Sequence, residues 1–158
     1  IKLIKVAFVC TGNTCRSPMA EAILKSELKD MGENLENYSI YSIGTMAFNG
    51  DTASEHSIDA MSEMGVDIKK HRSQRINPEN IQADILLTMG RAHKELLLNY
   101  DKNLNVYTLK EFADMGEKDI NDPFGLGIDS YILVRDEIID AIKKSVHKII
   151  KISKEENQ

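Results

Sequence analysis

The segment Leu3-Ile4-Lys5-Val6-Ala7-Phe8-Val9 constrains the fold more than any other part of the chain. It is apolar and rich in β-branched residues, with one charge, so it reads as a strand covered on both faces. Such a strand needs parallel neighbours and crossover helices that supply the covering layers. The residues that follow fit this. Cys10 to Arg16 form a short loop, and Ser17 and Pro18 then read as the N-cap and first residue of a helix on which Ala20, Leu24, Leu28 and Met31 recur at helical spacing.

The same alternation runs to the end of the chain. Tyr38 to Ile43 reads as a second strand, and Ala53 to Met64 as a helix with Ala53, Ser57, Ala60 and Met64 on one face. Asp84 to Met89 reads as a third strand, Ala92 to Asn99 as a short helix and Leu104 to Leu109 as a fourth strand. Tyr131, Val134, Ile138, Ile142, Val146 and Ile149 mark a long closing amphipathic helix, with Ser153 to Gln158 expected as a frayed tail. Four strands alternating with helices predict an α/β fold: a doubly wound, flavodoxin-like sheet of four parallel strands with helices on both faces. Met61, Met64 and Met89 are expected as core filling, and Lys143, Lys144, Lys148 and Lys151 as a solvated helix face. No linker or repeat divides the 158 residues, so residues 1–158 are expected to form one domain.

Charge and cysteine usage narrow the function. A formal net charge of −5 disfavours broad binding to nucleic acid or anionic lipid, so any bound anion needs a local positive site. The Leu3–Val9 run is far shorter than the roughly 20 apolar residues of a membrane helix, and no secretory pattern is visible. The two cysteines, Cys10 and Cys15, make neither a disulfide framework nor a cysteine-rich zinc module. Reduced thiols make a cytoplasmic setting the expectation.

The chemistry concentrates in the loop Cys10-Thr11-Gly12-Asn13-Thr14-Cys15-Arg16, which runs from the C-terminal end of a strand into a helix N-terminus. If Gly12 and Asn13 adopt left-handed angles, successive N–H groups turn inward as an anion nest. No Gly-Lys-Ser/Thr ending marks a nucleotide-binding loop; a cysteine stands at the mouth instead. Beside the helix dipole and Arg16, Cys10 is expected to have a depressed pKa and to attack phosphorus as a thiolate. Arg16 can hold two phosphoryl oxygens and stabilise an in-line transfer without a metal, and Ser17 can donate a hydrogen bond to the sulfur. A departing atom also needs a proton. Asp122, in the turn Asn121-Asp122-Pro123-Phe124-Gly125 after the fourth strand, is the candidate acid on the same rim. Taken alone, each feature has a plainer reading: a buried strand-end thiol, a surface arginine, an ordinary Asp-Pro turn.

Together, VCTGNTCRSPMAEAI (Val9 to Ile23), YSIGT (Tyr41 to Thr45), HRSQRI (His71 to Ile76) and NDPFG (Asn121 to Gly125) resemble the low-molecular-weight protein tyrosine phosphatase family, in order and across nearly the whole chain. The resemblance implies Cys10 as the nucleophile that becomes phosphocysteine, Arg16 as phosphate ligand, and Asp122 as acid and then base for water, with no metal or cofactor. It also implies phosphorylated proteins or peptides as partners and inhibition by phosphate-like oxyanions. Asn13, Ser17, Ser42 and His71 would brace the loop. Ile43 departs from the family, which usually has Ala there.

Thr14 and the pair Phe124-Gly125 bear on the substrate. Tyrosine phosphatases of the family usually carry an apolar residue in place of Thr14 and a larger aromatic pair after Asp-Pro. The pattern here is more similar to the bacterial protein-arginine phosphatases, which makes phosphoarginine the favoured substrate and phosphotyrosine the alternative. A hydroxyl at Thr14 can bond guanidinium nitrogens, and Phe124 offers a face to a planar cation. Thr14 could equally be a packing variant. Cys15 is either a packing residue or a redox guard that traps oxidised Cys10 as a disulfide. An arsenate reductase of this fold would need a distant cysteine pair, and a non-catalytic phosphate-binding module would not need Cys10, Arg16 and Asp122 all intact. A dithiol oxidoreductase is weaker still, because the spacing is C-x4-C.

Overall fold

The computed structural model describes residues 1–158. Strands β1 (Ile4–Cys10), β2 (Tyr38–Gly44), β3 (Ile85–Thr88) and β4 (Val106–Thr108) form one parallel sheet in the order β2-β1-β3-β4. Helices α1 (Arg16–Asp30), α2 (Glu55–Ser62), α3 (Arg91–Tyr100), the single turn α4 (Leu109–Phe112) and α5 (Ile128–Glu156) connect and cover it.

The alternation of β1 side chains divides the core. Ile4, Val6 and Phe8 join the larger cluster with Met19, Leu24 and Leu28 of α1, Met61 of α2, and Ile138 and Ile142 of α5. Ala7 and Val9 point the other way, onto Leu97 of α3 with Leu86 and Val106. Both faces of the sheet are therefore covered, as the apolar β1 requires. Ile43, the family departure, is buried in this second cluster, on the face opposite Ser42, and does not crowd the loop.

From β1 the chain crosses to β2 on one side, while β3 and β4 lie on the other. The loops after β1 and β3 thus diverge, and a crevice opens at the C-terminal ends of these two strands. Cys10 and Met89 flank it; the Met89 N–H donates to the Val9 carbonyl at 2.9 Å.

Several boundaries differ from the sequence expectation. Helix α1 begins at Arg16, with Cys15 as its N-cap and no side-chain cap. Ser17 and Pro18 lie in the first turn, where proline's missing N–H costs nothing, and the Ser17 hydroxyl is left for the loop. Helix α2 is shorter than read: Ser54 caps it, accepting from the Ser57 N–H, and the chain turns at Gly65 with φ 76°. That turn leaves Met64 43% exposed instead of in the core. Leu109 starts α4, where Thr108 and Glu111 form a reciprocal cap. Lys148 is not simply solvated, since its ammonium donates to the Phe112 carbonyl and pairs with Asp114 at 2.8 Å.

The tail is the clearest correction. Helix α5 continues to Glu156, Ser153 is buried, and Asn157 is tied to Lys2, whose N–H donates to Asn157 Oδ1 at 2.6 Å. Contact with the start of β1 holds the last turn that composition alone reads as frayed.

Candidate active site

Asn13 shapes the loop. It has φ 57°, the left-handed conformation that Asn tolerates, whereas Gly12 does not share it. The expected pair of left-handed residues is therefore one. The Asn13 side chain is fully buried and has every polar atom occupied. Its amide donates to Ser17 Oγ at 2.8 Å and to Ser42 Oγ at 2.9 Å, and its Oδ1 accepts from the Gln74 N–H at 2.9 Å. Its carbonyl meets His71 Nε2 at 2.8 Å and accepts from Ser73 Oγ at 2.7 Å.

Because one amide donates to both serines, both hydroxyl hydrogens point outward. Ser42 donates to Glu21 Oε1 at 2.9 Å, and Ser17 donates to Cys10 Sγ at 2.8 Å. The Asn13 N–H also donates to the sulfur, at 3.3 Å. Three segments distant in sequence, the loop with the start of α1, strand β2 and residues 71–74, thereby converge on Cys10.

Gly44, at the end of β2, closes the arrangement. A Cβ there would stand 2.6 Å from the Thr11 carbonyl oxygen and 3.0 Å from Asn13 Cβ, so only glycine lets the strand approach the loop. Sequence reasoning missed Gly44, Glu21, Ser73 and Gln74. All four lie inside the quoted motifs, but nothing in the sequence separates Glu21 from any other helix-surface acid.

Cys10 is 3% exposed. Burial pushes its thiol up from the ordinary value, opposed by the Ser17 hydrogen bonds, the Arg16 guanidinium and the Asn13 N–H. The expected depression is thus not met, because desolvation of the sulfur is the larger effect. The same donors, aimed at the sulfur, are what hold a thiolate when the proton leaves.

The Arg16 side chain crosses to the far rim. It donates to the Ile120 carbonyl at 3.1 Å and stands 3.5 Å from Asp122 Oδ2. Asp122 is 54% exposed along its side chain and accepts from the Phe124 N–H at 3.1 Å, an Asx turn. Asn121 anchors this loop to α5 through Glu137, which also pairs with Lys110 at 2.9 Å.

A cavity of about 220 Å³ brings the two rims together, lined by Cys10, Thr11, Gly12, Thr14, Cys15, Arg16, Asp122 and Phe124. Both cysteines are free and buried. Cys15 Sγ lies 3.4 Å from the Tyr131 hydroxyl and 3.5 Å from Ser54 Oγ, which fastens the loop to α5. Phe124, 78% exposed, forms one open wall.

The fold and site together define an α/β protein of doubly wound sheet order β2-β1-β3-β4 with a cysteine and an arginine on one loop at its switch point and an aspartate facing them across one cavity. The sequence profile of the low molecular weight phosphotyrosine protein phosphatases matches residues 5–157, and the chain belongs to that family. It is 37% identical over 142 residues to the low molecular weight protein-tyrosine-phosphatase PtpB of Staphylococcus epidermidis, covering 89% of this chain and 96% of PtpB. To the protein-arginine-phosphatase of Bacillus subtilis it is 36% identical over 152 residues, covering 92% and 97%. A YwlE arginine phosphatase mutant with a phosphorylated active-site serine superposes with a TM-score of 0.87 at 34% identity, covering 94% of this chain and 97% of that one. No helix is long and apolar enough to cross a membrane.

Proposed function

We propose that this phosphatase removes phosphate from phosphorylated protein side chains through a phosphocysteine on Cys10, with phosphoarginine the favoured substrate. The cavity that unites Cys10, Arg16 and Asp122 with Thr14 and Phe124 carries the reading. Cys10 Sγ, as thiolate, forms a bond to phosphorus while the bond from phosphorus to the guanidino nitrogen breaks. Asp122 gives its proton to that nitrogen as it departs. Arg16 exchanges its contact with Asp122 for the equatorial phosphoryl oxygens and neutralises their charge. In the second step Asp122, now ionised, takes a proton from water. The water oxygen attacks phosphorus, and the S–P bond breaks to return the thiolate, stabilised by the Ser17 hydroxyl. The same pocket is expected to take phosphate-like oxyanions as inhibitors. Two unpaired thiols in the site support work in a reducing, cytoplasmic compartment.

Two observations favour phosphoarginine. Thr14 belongs to the cavity lining, where its hydroxyl can serve guanidinium N–H groups that an aryl ester lacks. Gly125 has φ 79°, a conformation that strains any side chain, so the backbone itself discourages a second aromatic wall. Phosphotyrosine is the alternative, supported by the likeness to PtpB. In a side-by-side assay of phosphoarginine and phosphotyrosine peptides, the wild type is expected to prefer the former. Thr14→Ile is expected to move the kcat/KM ratio at least about tenfold toward phosphotyrosine. A ratio unchanged by the substitution overturns the arginine reading.

For Cys15 we propose the redox role. After mild peroxide, mass spectrometry is expected to find a Cys10–Cys15 link that dithiothreitol reverses with recovery of activity. Sulfinic acid on Cys10 without the link would refute it and leave Cys15 as the packing partner of Tyr131.

A further inference from the structure

Behind Thr11 of the cavity lining stands an imidazole that the quoted family motifs do not contain. Strand β3 ends beside β1, and the chain turning into α3 places His93, 8% exposed, in the first helical turn. Gly90 is the N-cap. A Cβ there would stand 2.9 Å from Asp119 Oδ2, whose carboxylate already accepts from the Arg91 N–H, so no side chain can be accommodated without displacing Asp119. His93 supplies the cap instead: the Gly90 N–H donates to His93 Nδ1 at 3.1 Å.

That bond sets the tautomer. With Nδ1 an acceptor, a neutral ring carries its hydrogen on Nε2, and this N–H donates to Thr11 Oγ1 at 2.9 Å. The Thr11 oxygen is thus engaged from one side, and its own hydrogen is left for another acceptor. Thr11 is the residue after Cys10 and lines the cavity.

We propose that His93 is a positioning residue: it holds Thr11 on the cavity wall and turns the Thr11 hydroxyl hydrogen toward a bound phosphoryl group, making Thr11 a further donor to substrate. The inference rests on the phosphatase reading above. The ionisation of the ring agrees with it. Burial, then the Arg16 guanidinium, push His93 down to about 4 against the pull of Asp119 and Asp122, so the ring stays neutral near pH 7. An imidazolium would have hydrogens on both nitrogens and could not accept from Gly90.

The test compares Thr11→Val, His93→Leu and the double variant by kcat/KM on a phosphorylated peptide and by the Ki of inorganic phosphate. Each single variant is expected to lose about three- to tenfold in kcat/KM, with phosphate Ki weakened in step. The double variant is expected to lose no more than the worse single, because both remove one interaction. His93→Gln, whose amide keeps a donor near the Nε2 position, is expected to recover part of the loss. The inference is overturned if His93→Leu lowers Tm but leaves kcat/KM and Ki at wild-type values, or if the single losses multiply in the double variant. Should His93→Leu fail to fold, Thr11→Val decides, and its full activity overturns the inference. A wild type inactive on every phosphorylated probe refutes the phosphatase reading itself, whereas an active wild type confines any failure to the role of His93.

Discussion

Cys10→Ser is expected to abolish turnover, lowering kcat by at least about 10⁴-fold, while inorganic phosphate or vanadate still binds. A serine hydroxyl occupies nearly the same volume but does not ionise near neutral pH, so the nucleophile is lost and the anion site is kept. That site is built from groups other than the sulfur: the buried Arg16 and the loop whose shape Asn13 holds through five hydrogen bonds to Ser17, Ser42, His71, Ser73 and Gln74. Isothermal titration with vanadate and steady-state assay of the same preparation separate the two effects. Retained turnover would refute Cys10 as the nucleophile; lost binding with intact folding would place the sulfur among the anion's essential contacts and refute the separation of roles.

Asp122→Asn is expected to depend on the leaving group. An amide has no proton to give at the required acidity, so phosphoarginine and alkyl phosphates should slow by about 10²- to 10⁴-fold. An activated aryl phosphate, whose phenolate leaves unaided, should slow far less in the formation of phosphocysteine. Asp122 is suited to this by position: it shares the cavity with Cys10, is half exposed, and stands 3.5 Å from Arg16, a contact that the proposed mechanism gives up to the phosphoryl group. Burst kinetics read the first step alone. Equal slowing of both substrate classes in the burst removes Asp122 as the acid and leaves it as a partner that orients Arg16.

Much of the fold was legible because β1 is apolar on both faces and is followed at once by a helix, which leaves few alternatives to a parallel sheet covered on both sides. The nucleophile loop was legible for a related reason. Cys10, Asn13, Arg16 and Ser17 lie within eight residues, so local spacing carries their relation. Element ends were less legible. Ser17 looks like an N-cap, but its hydroxyl is taken by Cys10 and Asn13, and the helix starts two residues earlier than expected, at Arg16. The pKa of Cys10 was misread for want of burial, which no loop sequence displays: the dipole and the arginine are written locally, the desolvation is not.

The sequence by itself determined the sheet type, the candidate anion loop and the candidates for nucleophile, anion ligand and acid, since these follow from short-range pattern and from what each side chain can do. The tertiary structure alone decided that Gly44 must lack a side chain, that Glu21, Ser73 and Gln74 complete the brace, and that His93 reaches Thr11 across 82 residues. Hydrogen-bond direction, close approach and desolvation depend on which distant atoms meet, and packing alone sets those meetings.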